Sequence, residues 1–177
     1  INDENMSFVF TLSKILGMSE KSFFKSLNSF KGLPHRYELS LKKKNCLFIN
    51  DSKATSFQST KLALKNTENI FWIVGGLPKK NDKIILNDLK KNVLKCYIIG
   101  NHFNFFKQQL KNQISCLVTK NLKNSIIQIL KDIKSQENKY NTILLSPASA
   151  SYDQFLNFEN RGNEFKRLCN FYASKYI

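Results

Sequence analysis

Short apolar runs alternate with stretches of helical periodicity from about residue 37 to the end of the chain. The run at 70–74 is apolar at every position, which is typical of a strand covered on both faces of its sheet. The stretch at 122–133 instead places its apolar residues on one side of a helix. Strands that alternate with helices indicate βαβ units. The pattern therefore predicts an α/β fold, with a Rossmann-like, mostly parallel sheet flanked by helices.

Strands and helices can be placed individually in this region. The strands are expected at 37–41, 46–49, 70–74, 96–99, 114–118 and 142–145. The helices are expected at 57–64, 84–93, 103–110, 122–133 and 165–176. Consecutive lysines at 42–44 separate the first two strands, and we interpret them as a solvated hairpin turn.

The first part of the chain has a different pattern. Residues 3–16 show helical periodicity, and Gly17 follows where that helix should end. Ser19 is placed to cap a second short helix, and Gly32 and Pro34 then break the pattern. We therefore predict a helical tail of a preceding domain at 1–31 and an α/β domain at 32–177. Because the chain does not begin with Met, we expect it to be a piece of a longer protein.

The charge of the chain suggests an alternative function. The sequence has 28 basic and 13 acidic residues, a formal net charge of +15, as in a non-catalytic nucleic-acid-binding module. Such a module should gather its basic residues on one face. The lysines are instead spread over nearly every predicted helix and loop. We therefore expect no nucleic-acid partner.

The distribution of cysteines and apolar residues bears on location. The four cysteines are far apart and form no CxxC pair, so we expect no zinc site. Most of them lie inside apolar runs, as buried free thiols do. No apolar run approaches the roughly 20 residues that a membrane span requires, and the amino terminus lacks the pattern of a signal peptide. These features favour a cytoplasmic protein without a membrane partner.

Small and polar residues follow several predicted strands. They occupy 50–55 (Asn-Asp-Ser-Lys-Ala-Thr), 75–80 (Gly-Gly-Leu-Pro-Lys-Lys), 100–101 (Gly-Asn) and 146–151 (Ser-Pro-Ala-Ser-Ala-Ser). Because the carboxyl ends of parallel strands meet at one edge of a sheet, these segments should converge. Lysines, hydroxyls and backbone amides at one edge predict a pocket for a carboxylate or a phosphate.

Each of these residues also has a simpler interpretation. Asp51 alone would more simply cap the helix that follows it, and Lys79 alone would be an ordinary surface lysine. His35, beside a proline, would be a packed residue rather than a catalytic one. The pair Gly75-Gly76 does not form a GxGxxG motif, which argues against a dinucleotide-dependent oxidoreductase. Only the convergence of the segments favours a functional site.

The same segments resemble a known family. The motifs are 32–38 (Gly-Leu-Pro-His-Arg-Tyr-Glu), 50–55, Gly75-Gly76 with Lys79, and 146–165. Together they resemble the Mur ligase family over essentially the whole chain. The Ser-Lys-Ala-Thr at 52–55 and the Ser-Tyr-Asp-Gln-Phe at 151–155 resemble the members that add D-glutamate.

This resemblance implies a three-domain, ATP-dependent ligase of peptidoglycan synthesis. ATP would convert the carboxylate of UDP-N-acetylmuramoyl-L-alanine to an acyl phosphate, and the amine of D-glutamate would attack it. Mg²⁺ and the ATP phosphates would be bound mainly by a central domain. No Gly-x-x-x-x-Gly-Lys-[Ser/Thr] motif occurs in this chain. We therefore expect the chain alone to be inactive, to bind no metal, and to need the amino-terminal and central domains as partners.

The resemblance also implies roles for individual residues. The residues implied to hold D-glutamate are Thr55, Lys79, Ser151, Tyr152 through its backbone, and Phe158. Those implied to contact the nucleotide are Asn2, Arg36 and Asp51. Lys53 would act catalytically, beside the transferring phosphoryl group. An interdomain salt bridge is the alternative for Arg36 and Lys53. Lys80 is an alternative to Lys79, which the spacing favours.

Overall fold

The computed structural model describes residues 3–134 and 140–177, and the chain divides into two units, Ile1–Gly32 and Leu33–Ile177. The first unit is a pair of helices, α1 (Asp3–Ile15) and α2 (Glu20–Ser29). Ser19 caps α2, and its hydroxyl accepts a hydrogen bond from the backbone amide of Ser22. The rings of Phe10 and Phe23 pack edge to face, with centroids 5.0 Å apart. Both predicted helices of this region are therefore present.

The second unit is built around one six-stranded sheet with the strand order β1-β2-β6-β3-β4-β5. The strands are β1 (Glu38–Lys43), β2 (Cys46–Asn50), β3 (Ile70–Gly75), β4 (Val93–Ile99), β5 (Cys116–Lys120) and β6 (Asn141–Leu145). The antiparallel pair is the hairpin of β1 and β2, and the other pairings are parallel. The predicted α/β class, with a mostly parallel sheet, is confirmed.

Helices cover both faces of this sheet. They are α3 (Phe57–Lys65), α4 (Phe103–Leu110), α5 (Leu122–Lys134) and α6 (Phe158–Tyr176). One core cluster joins α5 and α6 to Phe71 and Ile73 of β3, and the other joins α3 and α4 to Trp72 and Val74 of the same strand. Every residue of β3 is buried because alternate side chains enter opposite cores. This arrangement explains the uninterrupted apolar run at 70–74.

The helix predicted at 84–93 is present only in part, as a 3₁₀ helix rather than an α-helix. Residues 84–86 have no regular secondary structure, and a six-residue 3₁₀ helix follows at Asn87–Asn92. Ile84 and Leu86 are buried and Ile85 is exposed. The side chain of Gln109 accepts from the amide of Ile84 at 2.6 Å, and that of Gln113 accepts from the amide of Leu86 at 2.9 Å. Gln109 lies in α4 and Gln113 lies just after it. Their side chains accept the backbone hydrogen bonds that an α-helix would have formed within itself.

The last helix begins seven residues earlier than predicted, at Phe158 instead of residue 165. Asn157 caps it, because its side-chain oxygen accepts from the amide of Asn160 at 2.7 Å. The earlier start brings Phe158 and Arg161 into the first turns of a 19-residue helix. No helix in 3–134 or 140–177 has the length and apolar character needed to cross a membrane.

Candidate ligand-binding site

The segments that leave β2, β3 and β6 meet the amino terminus of α6 around one cleft of about 320 Å³. Its lining residues are Lys53, Thr55, Lys79, Ala150, Ser151, Tyr152, Asn157, Phe158 and Glu159. Six of the nine residues assigned to the site from the sequence are among them. These six are the candidate catalytic Lys53 and the five candidate D-glutamate-binding residues. The parallel sheet brings them together although they span more than a hundred positions of sequence.

The cleft combines two cations with hydroxyl groups. Lys53 and Lys79 supply positive charge, and Thr55 and Ser151 supply hydroxyls that donate or accept. The Nζ atom of Lys53 lies 3.9 Å from the centroid of the Phe158 ring, a cation–π contact that holds the ammonium in the cleft. The first turn of α6 adds the partial positive charge of a helix amino terminus. The arrangement suits an anionic ligand.

One acidic residue also lines the cleft. Glu159, in the first turn of α6, had no role in the sequence analysis. A carboxylate in the first turn stabilises a helix through the macrodipole. It also makes the cleft mixed in charge, which suits a zwitterionic amino acid better than a simple polyanion.

The remaining candidates lie elsewhere. Asn2 is outside the described residues. Lys80 is exposed and does not line the cleft, whereas its neighbour Lys79 does. Arg36 is exposed, and its positive charge partly offsets the rise that burial causes in the pKa of the Asp51 carboxyl. Arg36 and Asp51 are therefore near one another but not part of the cleft lining.

Asp51 is a buried carboxyl, only 9% exposed. Its Oδ1 accepts from the amide of Tyr37 at 3.1 Å, and its Oδ2 accepts from the hydroxyl of Ser146 at 2.7 Å. Burial raises its pKa to about 6, and these two hydrogen bonds oppose that rise. The simpler interpretation of Asp51 as a helix cap is wrong, because Ser56 caps α3. Asp51 instead ties the turn at Tyr37 to the end of β6.

Replacing Asp51 with asparagine should change how stability depends on pH. Because the folded-state pKa of about 6 lies above the ordinary 3.8, the folded chain binds more protons than the unfolded chain between these values. The contribution of Asp51 to stability therefore falls as pH rises through this window, by about 3 kcal/mol at most. Urea denaturation at pH 4.5 and pH 7.5 should show Asp51→Asn gaining stability relative to wild type as pH rises. A difference that is the same at both pH values would contradict this account, and the exposed Asp88→Asn serves as the control substitution.

Arg161 is a buried residue of the site that the sequence analysis did not assign. Its side chain is 1% exposed, and burial lowers its pKa to about 10. Nε donates to the hydroxyl of Ser52 at 3.0 Å, and Nη2 donates to the carbonyls of Ser52 at 2.9 Å and Ser149 at 3.0 Å. One guanidinium thus joins the segment that carries Lys53 to the segment that carries Ser151.

Helical periodicity could have identified Arg161. Extending the apolar face of α6 towards its amino terminus, from Leu168 through Phe165, reaches position 161. This extension fails if the helix is taken to start at residue 165. With the helix extended to its actual start, the pattern would have indicated a buried arginine on the core-facing side of the helix, near the predicted ligand edge.

Two glycines allow close packing near Arg161, Gly76 against its guanidinium and Gly162 against the ring of His35. Gly76 has a φ of 136°, and a Cβ there would overlap the carbonyl oxygen of Ala150 and crowd Nη1 of Arg161 at 3.2 Å. Gly162 lies in α6, where a Cβ would overlap the ring of His35. The pair Gly75-Gly76 therefore serves close packing and does not line the cleft.

His35 is a packed residue, as the simpler interpretation held. It is buried, with Nδ1 2.9 Å from Nδ2 of Asn50, and burial lowers its pKa. Its amide donates to Glu38 at 2.9 Å, and its carbonyl accepts from the amide of Lys53 at 3.0 Å. His35 therefore fixes the backbone on either side of Arg36 and at Lys53.

Comparison with known proteins places the chain in a family. The UDP-N-acetylmuramoylalanine–D-glutamate ligase of Rickettsia conorii is 34% identical over 96% of this chain and 34% of the relative. The enzyme of the same name from the Wolbachia of Brugia malayi is 38% identical over 94% of this chain and 33% of the relative. The chain thus spans about a third of the length of these curated relatives. No family model matches it.

A solved structure shares the fold. The bifunctional folylpolyglutamate synthase/dihydrofolate synthase of Yersinia pestis CO92 superimposes with a TM-score of 0.52 and 14% identity, over 90% of this chain and 35% of that chain. The comparisons give no support to the nucleic-acid alternative. With relatives that match nearly its whole length at 32–38% identity, the chain belongs to the Mur ligase family, as a homologue of the carboxy-terminal part of UDP-N-acetylmuramoylalanine–D-glutamate ligases.

Proposed function

We propose that this chain is the amino-acid-binding part of an ATP-dependent ligase that adds D-glutamate to UDP-N-acetylmuramoyl-L-alanine through an acyl phosphate. The proposal places the enzyme in the cytoplasm, in peptidoglycan synthesis. The observation that carries it is the cleft lined by two lysines and two hydroxyls, all on segments that match the ligase motifs. The names of the relatives support the substrates.

The chemistry of the cleft fits an amino acid with two carboxylates. We assign Lys79, with Thr55 and Ser151, to the carboxylates of D-glutamate, because charge-assisted hydrogen bonds are the strongest available there. Phe158 and the backbone of Tyr152 complete this binding site. Lys53 is assigned to the transferring phosphoryl group, where a fixed positive charge stabilises the developing negative charge.

The nucleotide is assigned to residues beside the cleft. Arg36 would bind phosphate, and Asp51 would accept from ribose hydroxyls; Asn2 completes the proposed set. Among residues 3–134 and 140–177, no three His, Cys, Asp or Glu side chains are grouped so as to hold a metal ion. We assign Mg²⁺ and the ATP phosphates mainly to the central domain.

The domain organisation follows from the same proposal. We assign residues 1–31 to the helical tail of the central domain and residues 32–177 to the carboxy-terminal domain. Because the phosphate-binding loop lies outside this chain, the chain alone should not turn over. Activity should require the amino-terminal and central domains.

The assignment of Lys79 can be tested in the complete ligase. Lys79→Ala should raise the KM for D-glutamate roughly tenfold or more, because a hydrogen bond to a charged group contributes about that factor to binding. The KM for ATP should remain nearly unchanged. Lys80→Ala is the matched control, since Lys80 is adjacent but does not line the cleft. Equal increases in both KM values, or a larger effect from Lys80, would refute the assignment.

A further inference from the structure

Asp153 and Gln154 belong to the Ser-Tyr-Asp-Gln-Phe motif but have no role in the proposed function. Neither residue lines the cleft, although Ser151 and Tyr152, directly before them, do. Their side chains point instead to the ends of β4 and β5. These contacts indicate a structural role for Asp153 and Gln154.

Asp153 holds the exit of β4. Its Oδ2 accepts from the amide of Asn101 at 2.9 Å, and its backbone carbonyl accepts from Nδ2 of Asn101 at 3.1 Å. Gly100 lies so close that a Cβ there would come within 2.5 Å of Asp153 Oδ2. The two residues thus form a reciprocal pair across two loops, and the glycine is needed for their approach.

Gln154 holds the exit of β5. Its Nε2 donates to the carbonyl of Lys120 at 3.0 Å, and the same carbonyl accepts from the amide of Gly100 at 2.9 Å. One oxygen therefore joins the ends of β4 and β5 to the motif. The three segments form a connected hydrogen-bond network outside the cleft.

The exit of β3 holds the other side of the motif. Ala150 and Leu77 exchange two backbone hydrogen bonds, of 2.9 and 3.1 Å. Ser151 and Tyr152 consequently lie between two anchors, Ala150 before them and Asp153 after them. Such a short segment, fixed at both ends, has little freedom to move its cleft-facing atoms.

We infer that Asp153 is a positioning residue that fixes Ser151 and the Tyr152 backbone for the amino-acid substrate. This inference rests on the proposed function of the cleft. Asp153 acts through the loop rather than by touching the ligand. Its negative charge also opposes the lowering of the pKa of Arg161 that burial causes, which supports a role in the same assembly.

The test compares Asp153→Ala with Asp153→Asn in the complete ligase. Alanine removes the acceptor for the Asn101 amide, whereas asparagine keeps an oxygen in the same place. Asp153→Ala should raise the KM for D-glutamate about tenfold to a hundredfold, as small displacements of binding groups do, with the KM for ATP changed less than about twofold. Asp153→Asn should recover most of the loss. Asp88→Ala, in the exposed 3₁₀ turn, is the control and should change neither KM.

Hydrogen–deuterium exchange separates this inference from the proposed function. Asp153→Ala should speed exchange of the amides at 150–156 while leaving the strands protected. Unchanged exchange there, or equal effects on both KM values, would overturn the positioning role. A wild-type ligase that does not accept D-glutamate would overturn the proposed function instead, and faster exchange in the variant would still show the anchor.

Discussion

Replacing Arg161 with methionine should lower the free energy of unfolding by about 2–4 kcal/mol. The carbonyls of Ser52 and Ser149 would each lose a buried donor. An unsatisfied buried acceptor costs roughly 1–3 kcal/mol. Removing the guanidinium also relieves its own desolvation, which is large enough to lower its pKa to about 10. The net loss is therefore smaller than the sum of the lost hydrogen bonds.

Urea denaturation of the chain measures this effect against a control on the same helix. Arg167 is exposed and pairs with Glu164 at 2.8 Å, one turn away. Arg167→Met should leave the midpoint almost unchanged, because exposed ion pairs contribute little. Arg161→Lys should be intermediate, since an ammonium keeps the charge but not the planar set of donors. If Arg161→Met lowered the midpoint as little as Arg167→Met, the conclusion that Arg161 holds the segments of Ser52 and Ser149 together would be wrong.

The sequence predicted those parts of the fold that depend on local periodicity. α4 has the predicted bounds, Phe103–Leu110, and the core strands differ from prediction by a few residues at their ends. The run at 70–74 was identifiable because both faces of β3 are covered. The convergence of the cleft residues follows from the rule that ligands bind at the carboxyl ends of parallel strands.

The parts that were missed depend on contacts distant in sequence. The segment at 84–86 is irregular because the side chains of Gln109 and Gln113, more than twenty residues away, accept from the backbone amides of Ile84 and Leu86. Arg161 bonds to Ser52 across 109 positions. No local pattern contains such pairings, since they arise only when the sheet order brings the segments together. For the same reason the sequence identified the residues that line the cleft better than those that hold it in shape.

Lys53 and Lys79 line the same cleft, so position alone does not separate their proposed roles. Lys53→Met should lower kcat about 10²- to 10³-fold, because in the proposed role of Lys53 it removes a positive charge that acts mainly in the transition state. The KM for D-glutamate should change little. Methionine keeps an apolar stem against the Phe158 ring, which the Lys53 ammonium now faces at 3.9 Å.

Steady-state kinetics of the complete ligase, with borohydride trapping of the acyl phosphate, tests this division. Lys53→Met should reduce trapping in the absence of D-glutamate, because phosphoryl transfer precedes attack by the amine. Lys79→Met should leave trapping intact and raise only the KM for D-glutamate. The opposite outcome, with Lys53→Met raising that KM at normal kcat, would make Lys53 a second substrate-binding cation. The positive charge that stabilises the transferring phosphoryl group would then have to come from a residue outside the cleft.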